Sequence, residues 1–107
     1  MKIALLGYGR MGKEIEKIAI SRGHKIVIRK DVEDIIDINL ADVAIDFSAP
    51  SAAFKNISNC LNHQVPVISG TTGWLDKYED AVALCQEKKG TFIYASNYSL
   101  GVNIFFE

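Results

Sequence analysis

Apolar residues along this chain come in short bursts that alternate between two spacings. Lys2 to Leu6 is a brief apolar run ending in glycine, the pattern of a buried strand. Met11, Ile15, Ile18 and Ala19 then recur at helical spacing, and Gly23 closes that segment. Lys25 to Arg29 reads as a second strand. Val32 to Leu40 is short and mixed, and fits either one helical turn or a vestigial strand. Asp42 to Phe47 is a third strand, stopped by Ser48-Ala49-Pro50. Ser51 is placed to cap a helix that turns Phe54, Ile57 and Leu61 inward. Val65 to Ser69 is the next strand and runs into Gly70-Thr71-Thr72-Gly73. Tyr78, Ala81, Val82 and Cys85 mark a further helix that ends near Gly90, and Thr91 to Ala95 is the last strand. Ser99 to Glu107 reads as the start of another helix without a stop signal, so more chain is expected to follow.

Strands separated by helices of about a dozen residues predict a parallel sheet with helices on both faces. Right-handed crossovers make that a doubly wound α/β fold in three α/β/α layers. A length of 107 residues suits one domain, and 49% apolar residues are enough for a core and too many for a disordered chain. Charge changes the picture mainly by exclusion. The net charge is -1 with both signs interspersed, which argues against a nucleic-acid surface. No apolar stretch approaches the roughly 20 residues of a membrane span. The apolar run at the N-terminus stops at Gly7, too early for a signal peptide, so a cytoplasmic location is expected. Cys60 and Cys85 lack paired metal-ligand spacing and fall on apolar helix faces, as small buried hydrophobes do. No metal site is expected.

Chemistry concentrates at the carboxyl ends of the strands. Gly7-Tyr8-Gly9-Arg10-Met11-Gly12 fits G-x-G-x-x-G directly after a strand and at the opening of a helix. Gly7 permits a tight turn, Gly9 lets a pyrophosphate approach the backbone, and Gly12 lets helix and strand pack closely. The helix then offers free N–H groups and the positive end of its dipole. Asp31, 22 residues after Gly9, is the candidate for the ribose hydroxyls. Arg29, Lys30 and Arg10 can instead pair with a 2′-phosphate, or Arg29 and Lys30 are simply solvated. Asp46-Phe47-Ser48-Ala49-Pro50 forms a second lip of the crevice if its strand lies beside the first, away from the second. Phe47 then packs near a nicotinamide or is a core aromatic, and Asp46 serves to orient the loop. Gly70, Thr71 and Thr72 put donors on the same rim or form an ordinary turn into a helix cap, and Ala95, Ser96, Asn97 and Tyr98 can present carbonyls there. His24 and His63 lie at helix–strand connections away from this rim, and no catalytic residue is expected within these 107 residues.

Four segments resemble one family, dihydrodipicolinate reductase (4-hydroxy-tetrahydrodipicolinate reductase). They are the glycine loop followed by Lys13, the D-F-S-A-P segment, Gly70-Thr71-Thr72-Gly73-Trp74, and Asn97-Tyr98-Ser99-Leu100-Gly101-Val102-Asn103. They occur in the family's order and span nearly the whole chain. The resemblance implies a Rossmann-like NAD(P)-binding domain over residues 1–107. It implies reduction of a cyclic dicarboxylate by NADPH or NADH in lysine and diaminopimelate synthesis, and a homotetrameric parent enzyme. It implies cofactor contacts at Gly7, Arg10, Met11, Gly12, Asp31, Gly70, Thr71, Thr72 and Ala95 to Tyr98, and the reading of the loops adds Tyr8, Gly9, Phe47 and Ser48 as candidates. The family's H-H-x-x-K-x-D-x-P-S-G-T-A segment, with its proposed acid and its substrate-binding lysine, has no counterpart here. The expectation is therefore a cofactor-binding half that binds but does not turn over. A stand-alone nucleotide-sensing module and another two-domain dehydrogenase are the alternatives.

Overall fold

A computed structural model of the chain describes residues 1–30, 37–95 and 102–106. Its elements run β1 (Lys2–Leu6), α1 (Arg10–Ser21), β2 (Lys25–Lys30), a 3-10 turn (Ile38–Leu40), β3 (Val43–Asp46) and α2 (Pro50–Asn62). They continue with β4 (Val67–Ser69), a second 3-10 turn (Leu75–Lys77), α3 (Tyr78–Lys88), β5 (Thr91–Ala95) and β6 (Val102–Phe106). The sheet order is β2-β1-β3-β4-β5-β6. The first five strands in this order are parallel, and β6 runs antiparallel to β5. From β1 the chain steps outward to β2, then crosses back to β3 on the other side. That reversal opens a crevice at the carboxyl ends of β1 and β3.

Alternation along β1 builds two cores. Ile3 and Leu5 point to the α1 face and pack with Ala19 and Ile26. Ala4 and Leu6 point to the opposite face, into a larger core with Ile57, Cys60 and Leu61 of α2 and Ala81 and Cys85 of α3. The doubly wound three-layer α/β arrangement is thus as expected, with α1 on one face and α2 and α3 on the other.

The β1–β2 pairing contains one irregularity. Ile3 pairs with Ile26, but Ala4 pairs with Ile28, so Val27 is an extra residue in β2. A bulge of this kind shifts every later side chain to the opposite face. Ile26 accordingly joins the α1 core, whereas Ile28 joins the α2 core. Strict alternation would have kept Ile26, Ile28 and Lys30 together.

Three expectations are corrected. The segment read as a new helix contains β6 instead; Val102-Asn103-Ile104-Phe105-Phe106 is β-branched and aromatic, and the edge of β5 gives it a partner. Ser99 to Gly101 lie outside the described residues. The cap of α2 is Ala49, with no side-chain hydrogen bond, and Pro50 takes the first helical position. Proline suits that position because its missing N–H is one the helix leaves unpaired anyway. In α1, Ile18 is exposed, and the inward stripe runs through Gly12, Ile15 and Ala19.

Burial in the larger core has a chemical consequence for Cys60. Desolvation, reinforced by the nearby Asp46 carboxylate, pushes its thiol up to about 12. Cys85 is equally enclosed. At neutral pH neither thiol should react with an alkylating reagent until the chain unfolds. Labelling in native buffer and in denaturant, read by mass, checks this; rapid native labelling of Cys60 would refute it.

Candidate functional site

A cleft of about 210 Å³ lies at the crevice between β1 and β3. It is lined by Gly7, Tyr8 and Gly9 from the loop after β1, and by Phe47, Ser48 and Ala49 from the loop after β3. Ala52 and Asn56 of α2 form one wall, and Lys30 enters from the end of β2. Three strand ends therefore contribute, as the position of β3 beside β1 requires.

The loops are held by one carboxylate. Asp46, the last residue of β3, is completely buried. Its Oδ1 accepts from Ser48 Oγ at 2.6 Å and from Asn56 Nδ2 at 3.1 Å. Its Oδ2 accepts from Ser69 Oγ at 2.7 Å and from Thr71 Oγ1 at 2.8 Å. Thr71 Oγ1 in turn accepts from the Ser48 backbone N–H at 2.9 Å. Asn56 extends the chain of bonds outward, its Oδ1 accepting from Lys30 Nζ at 2.5 Å. A buried carboxylate is tolerable only when its lone pairs are filled. Here the donors come from the loop after β3, from α2, from β4 and from the loop after it, so filling the lone pairs also fixes the rim.

The glycine loop is braced from the opposite face. Gly7 has φ +100°, and a Cβ there would come within 2.3 Å of the Phe47 carbonyl oxygen. At Gly12 a Cβ would lie 2.5 Å from the Gly7 carbonyl oxygen. Gly9 differs: an added Cβ meets nothing within 4 Å. Fold packing explains the first two glycines and leaves the third unexplained. Gly9 also caps α1 without a side-chain hydrogen bond, and the first turn carries no acidic residue. Tyr8, between these glycines, donates its hydroxyl to Glu16 Oε2 at 2.6 Å. Arg29 Nε donates to the other Glu16 oxygen and its guanidinium lies 6.0 Å from the Tyr8 ring centroid. The hydrogen bond from Tyr8 and then that from Arg29 hold the Glu16 carboxyl below its usual range. The same bond to Glu16, with burial, raises the Tyr8 phenol above its ordinary value.

The remaining candidates separate. Arg10 and Met11 begin α1 and are exposed. Gly70 lies under the Phe47 ring, where a Cβ would sit 2.2 Å from a ring carbon. Thr71 is buried with its hydroxyl committed to Asp46, whereas Thr72 is exposed. Trp74, 2% exposed, donates Nε1 to the Thr71 carbonyl at 2.7 Å and sits edge-on to Tyr94, pinning that loop. Ala95 ends β5. Asp31, Ser96, Asn97 and Tyr98 lie outside the described residues. His24 is bonded to the N-terminus and His63 to the Asn59 carbonyl, both away from the cleft. Asn56 is the residue the sequence reading passed over. A signal for it existed, since it interrupts the apolar stripe of Ala53, Ile57 and Cys60 on α2.

A family described as dihydrodipicolinate reductase, N-terminus, matches residues 16–98. The chain belongs to that family. A 4-hydroxy-tetrahydrodipicolinate reductase of Christiangramia forsetii is 59% identical over the whole of this chain, which spans 46% of that protein's length. One of Neisseria gonorrhoeae is 35% identical over 85% of this chain and 35% of its own length. The chain thus spans under half the length of these reductases. Among its described residues no helix is long and apolar enough to cross a membrane.

Two outcomes follow from this geometry. Asp46→Ala orphans a set of buried hydroxyl and amide donors and should lower unfolding stability by about 3–5 kcal/mol in urea titration. A loss under about 1 kcal/mol would show that the network is dispensable. The Tyr8–Glu16–Arg29 contacts should weaken in acid. Because the folded Glu16 value is lowered, its contribution is present above the ordinary glutamate value and fades as pH falls through the folded one. Glu16→Gln should flatten that part of the acid limb, and an unchanged limb would remove Glu16 from the account.

Proposed function

We propose that the chain is the NAD(P)H-binding domain of a 4-hydroxy-tetrahydrodipicolinate reductase of lysine and diaminopimelate synthesis. The observation that carries this is Gly9. It caps a helix whose first N–H groups have no side-chain partner, and the space beside it is open. An anion approaching that backbone meets the positive end of the α1 dipole and no competing carboxylate in the first turn. The pyrophosphate of a dinucleotide has the charge and reach to use it.

In this reading the residues divide the cofactor between them. The loop from Gly7 to Gly12 takes the pyrophosphate. Phe47 and Ser48 form the facing lip. Gly70 to Thr72 and Ala95 to Tyr98 line the nicotinamide end. The cofactor supplies hydride when bound, and the domain's task is to place it. Asp46 keeps the two lips at a fixed separation, and Phe47 over Gly70 walls off one side from water. The acid and the groups that hold the dicarboxylate substrate belong to a second domain of the full-length enzyme. That enzyme is a cytoplasmic homotetramer, and residues 1–107 alone bind cofactor without turnover.

Calorimetric titration with NADPH and NADH tests this. Saturable binding is expected, and Gly9→Val should weaken it by roughly ten- to a hundredfold, the worth of charge-assisted hydrogen bonds of about 1.5–3 kcal/mol. The melting temperature should fall only slightly, because the added Cβ meets no protein atom and the cost is that of valine in place of glycine at a helix cap. Binding unaffected by Gly9→Val would move the site elsewhere, and full reductase turnover by this chain alone would overturn the division of labour.

A further inference from the structure

The loop after β4 treats its two threonines differently. Thr71 is buried and held on both sides. Its hydroxyl donates to Asp46 Oδ2 and accepts from the Ser48 N–H, and its carbonyl accepts from the Trp74 indole N–H at 2.7 Å. Thr72 is exposed, and among the described residues neither its N–H nor its hydroxyl has a hydrogen-bond partner.

The bond from Trp74 therefore does more than hold the loop down. The Thr71 carbonyl and the Thr72 N–H belong to one peptide unit, and among the described residues no peptide bond is cis. In a planar trans unit the C=O and the N–H point in opposite directions. A carbonyl drawn inward to a buried indole turns the next N–H outward. With the peptide rotated the other way, an acceptor would stand where this donor now stands.

The indole is wedged in place. Trp74 is 2% exposed, and its ring lies edge-on to Tyr94 at 5.7 Å and tilted to Tyr78 and Phe92 at 6.0 and 6.1 Å. Phenylalanine could serve that aromatic packing without a buried N–H to satisfy. Packing explains the ring and leaves unexplained a donor aimed at a loop carbonyl.

We propose that Trp74 is a positioning residue of the site: its N–H fixes the Thr71–Thr72 peptide so that the Thr72 N–H donates to an acceptor oxygen on the nicotinamide half of the cofactor. The carboxamide supplies such an oxygen, and ADP-ribose, the same molecule without the nicotinamide, lacks it. The inference rests on the cofactor-binding reading above and adds to it the group that aims one donor.

The test compares NADH with ADP-ribose on the unmodified chain and on Trp74→Phe, by calorimetric titration. On the unmodified chain NADH should bind roughly three- to tenfold more tightly, the worth of one neutral hydrogen bond. Trp74→Phe keeps an aromatic ring in the core and removes the N–H. It should cancel that advantage by weakening NADH, while ADP-ribose stays within about twofold. Trp74 is the one tryptophan of the chain, so a proton–nitrogen NMR spectrum carries a single indole signal. On the unmodified chain that signal and the Thr72 amide should move with NADH and stay in place with ADP-ribose, a reading that stands even if Trp74→Phe fails to fold. A substitution that weakens both ligands equally, or neither, overturns the proposal and leaves Trp74 a packing residue. An indole signal that ADP-ribose moves as far as NADH does also overturns it. If the unmodified chain binds the two ligands equally, only the role of Trp74 falls. If it binds neither, the cofactor-binding reading falls and takes this inference with it.

Discussion

Asp46 is a carboxylate shut away from water, and it persists there because four side chains on neighbouring elements donate to it. Each donor has a second function. Ser48 and Thr71 are parts of the rim itself, Asn56 is the link to Lys30, and Ser69 ties the end of β4 to the end of β3. A hydrophobic residue at this position would need none of these donors, but it would leave the loops after β3 and β4 free to part. The energetic cost of burying the charge is offset by hydrogen bonds that also set the shape of the cleft.

The glycine loop depends on that network at one remove. Only glycine fits at position 7, because the Phe47 carbonyl occupies the place a side chain would take, and Phe47 follows Asp46 directly. From the other face, Tyr8 and Arg29 converge on Glu16, so the loop is clamped between the α1 layer and the loop after β3. A loop held by contacts on both sides would need little ordering to receive a group at that edge.

Much of this was legible in the residues. The apolar run of β1, the helical stripes of α2 and α3, and the glycines after β1 led directly to a doubly wound sheet and to its carboxyl edge. The Asp46 reading as a loop-orienting charge came from its place at a strand end. What the pattern could not convey was the bulge. Lys-Ile-Val-Ile-Arg-Lys looks like uninterrupted alternation, and only pairing with β1 reveals the extra residue. Arg29 and Lys30 face opposite ways in any strand; the consequence of the bulge is that Lys30, and not Arg29, is the one turned to the α2 face. The end of the chain failed for a different reason. Val102 to Phe106 supports either a strand or a helix by local pattern, and the edge of β5 decides between them. Asn56 was missed because a single polar residue on a helical stripe reads as noise until its partners are known.

The bulge at Val27 also bears on how such edges diverge. Substituting a side chain at the end of β2 changes one group. Gaining or losing one backbone residue within β2 exchanges the whole set, so that the cation now turned away would face the cleft and the one now inside would face α1. Aligning relatives by counting from the glycines therefore equates residues that sit on opposite sides of the sheet wherever the bulge is absent. The unit to compare at this position is the pairing register of β1 with β2, and the identity of the residue has meaning only after that register is known.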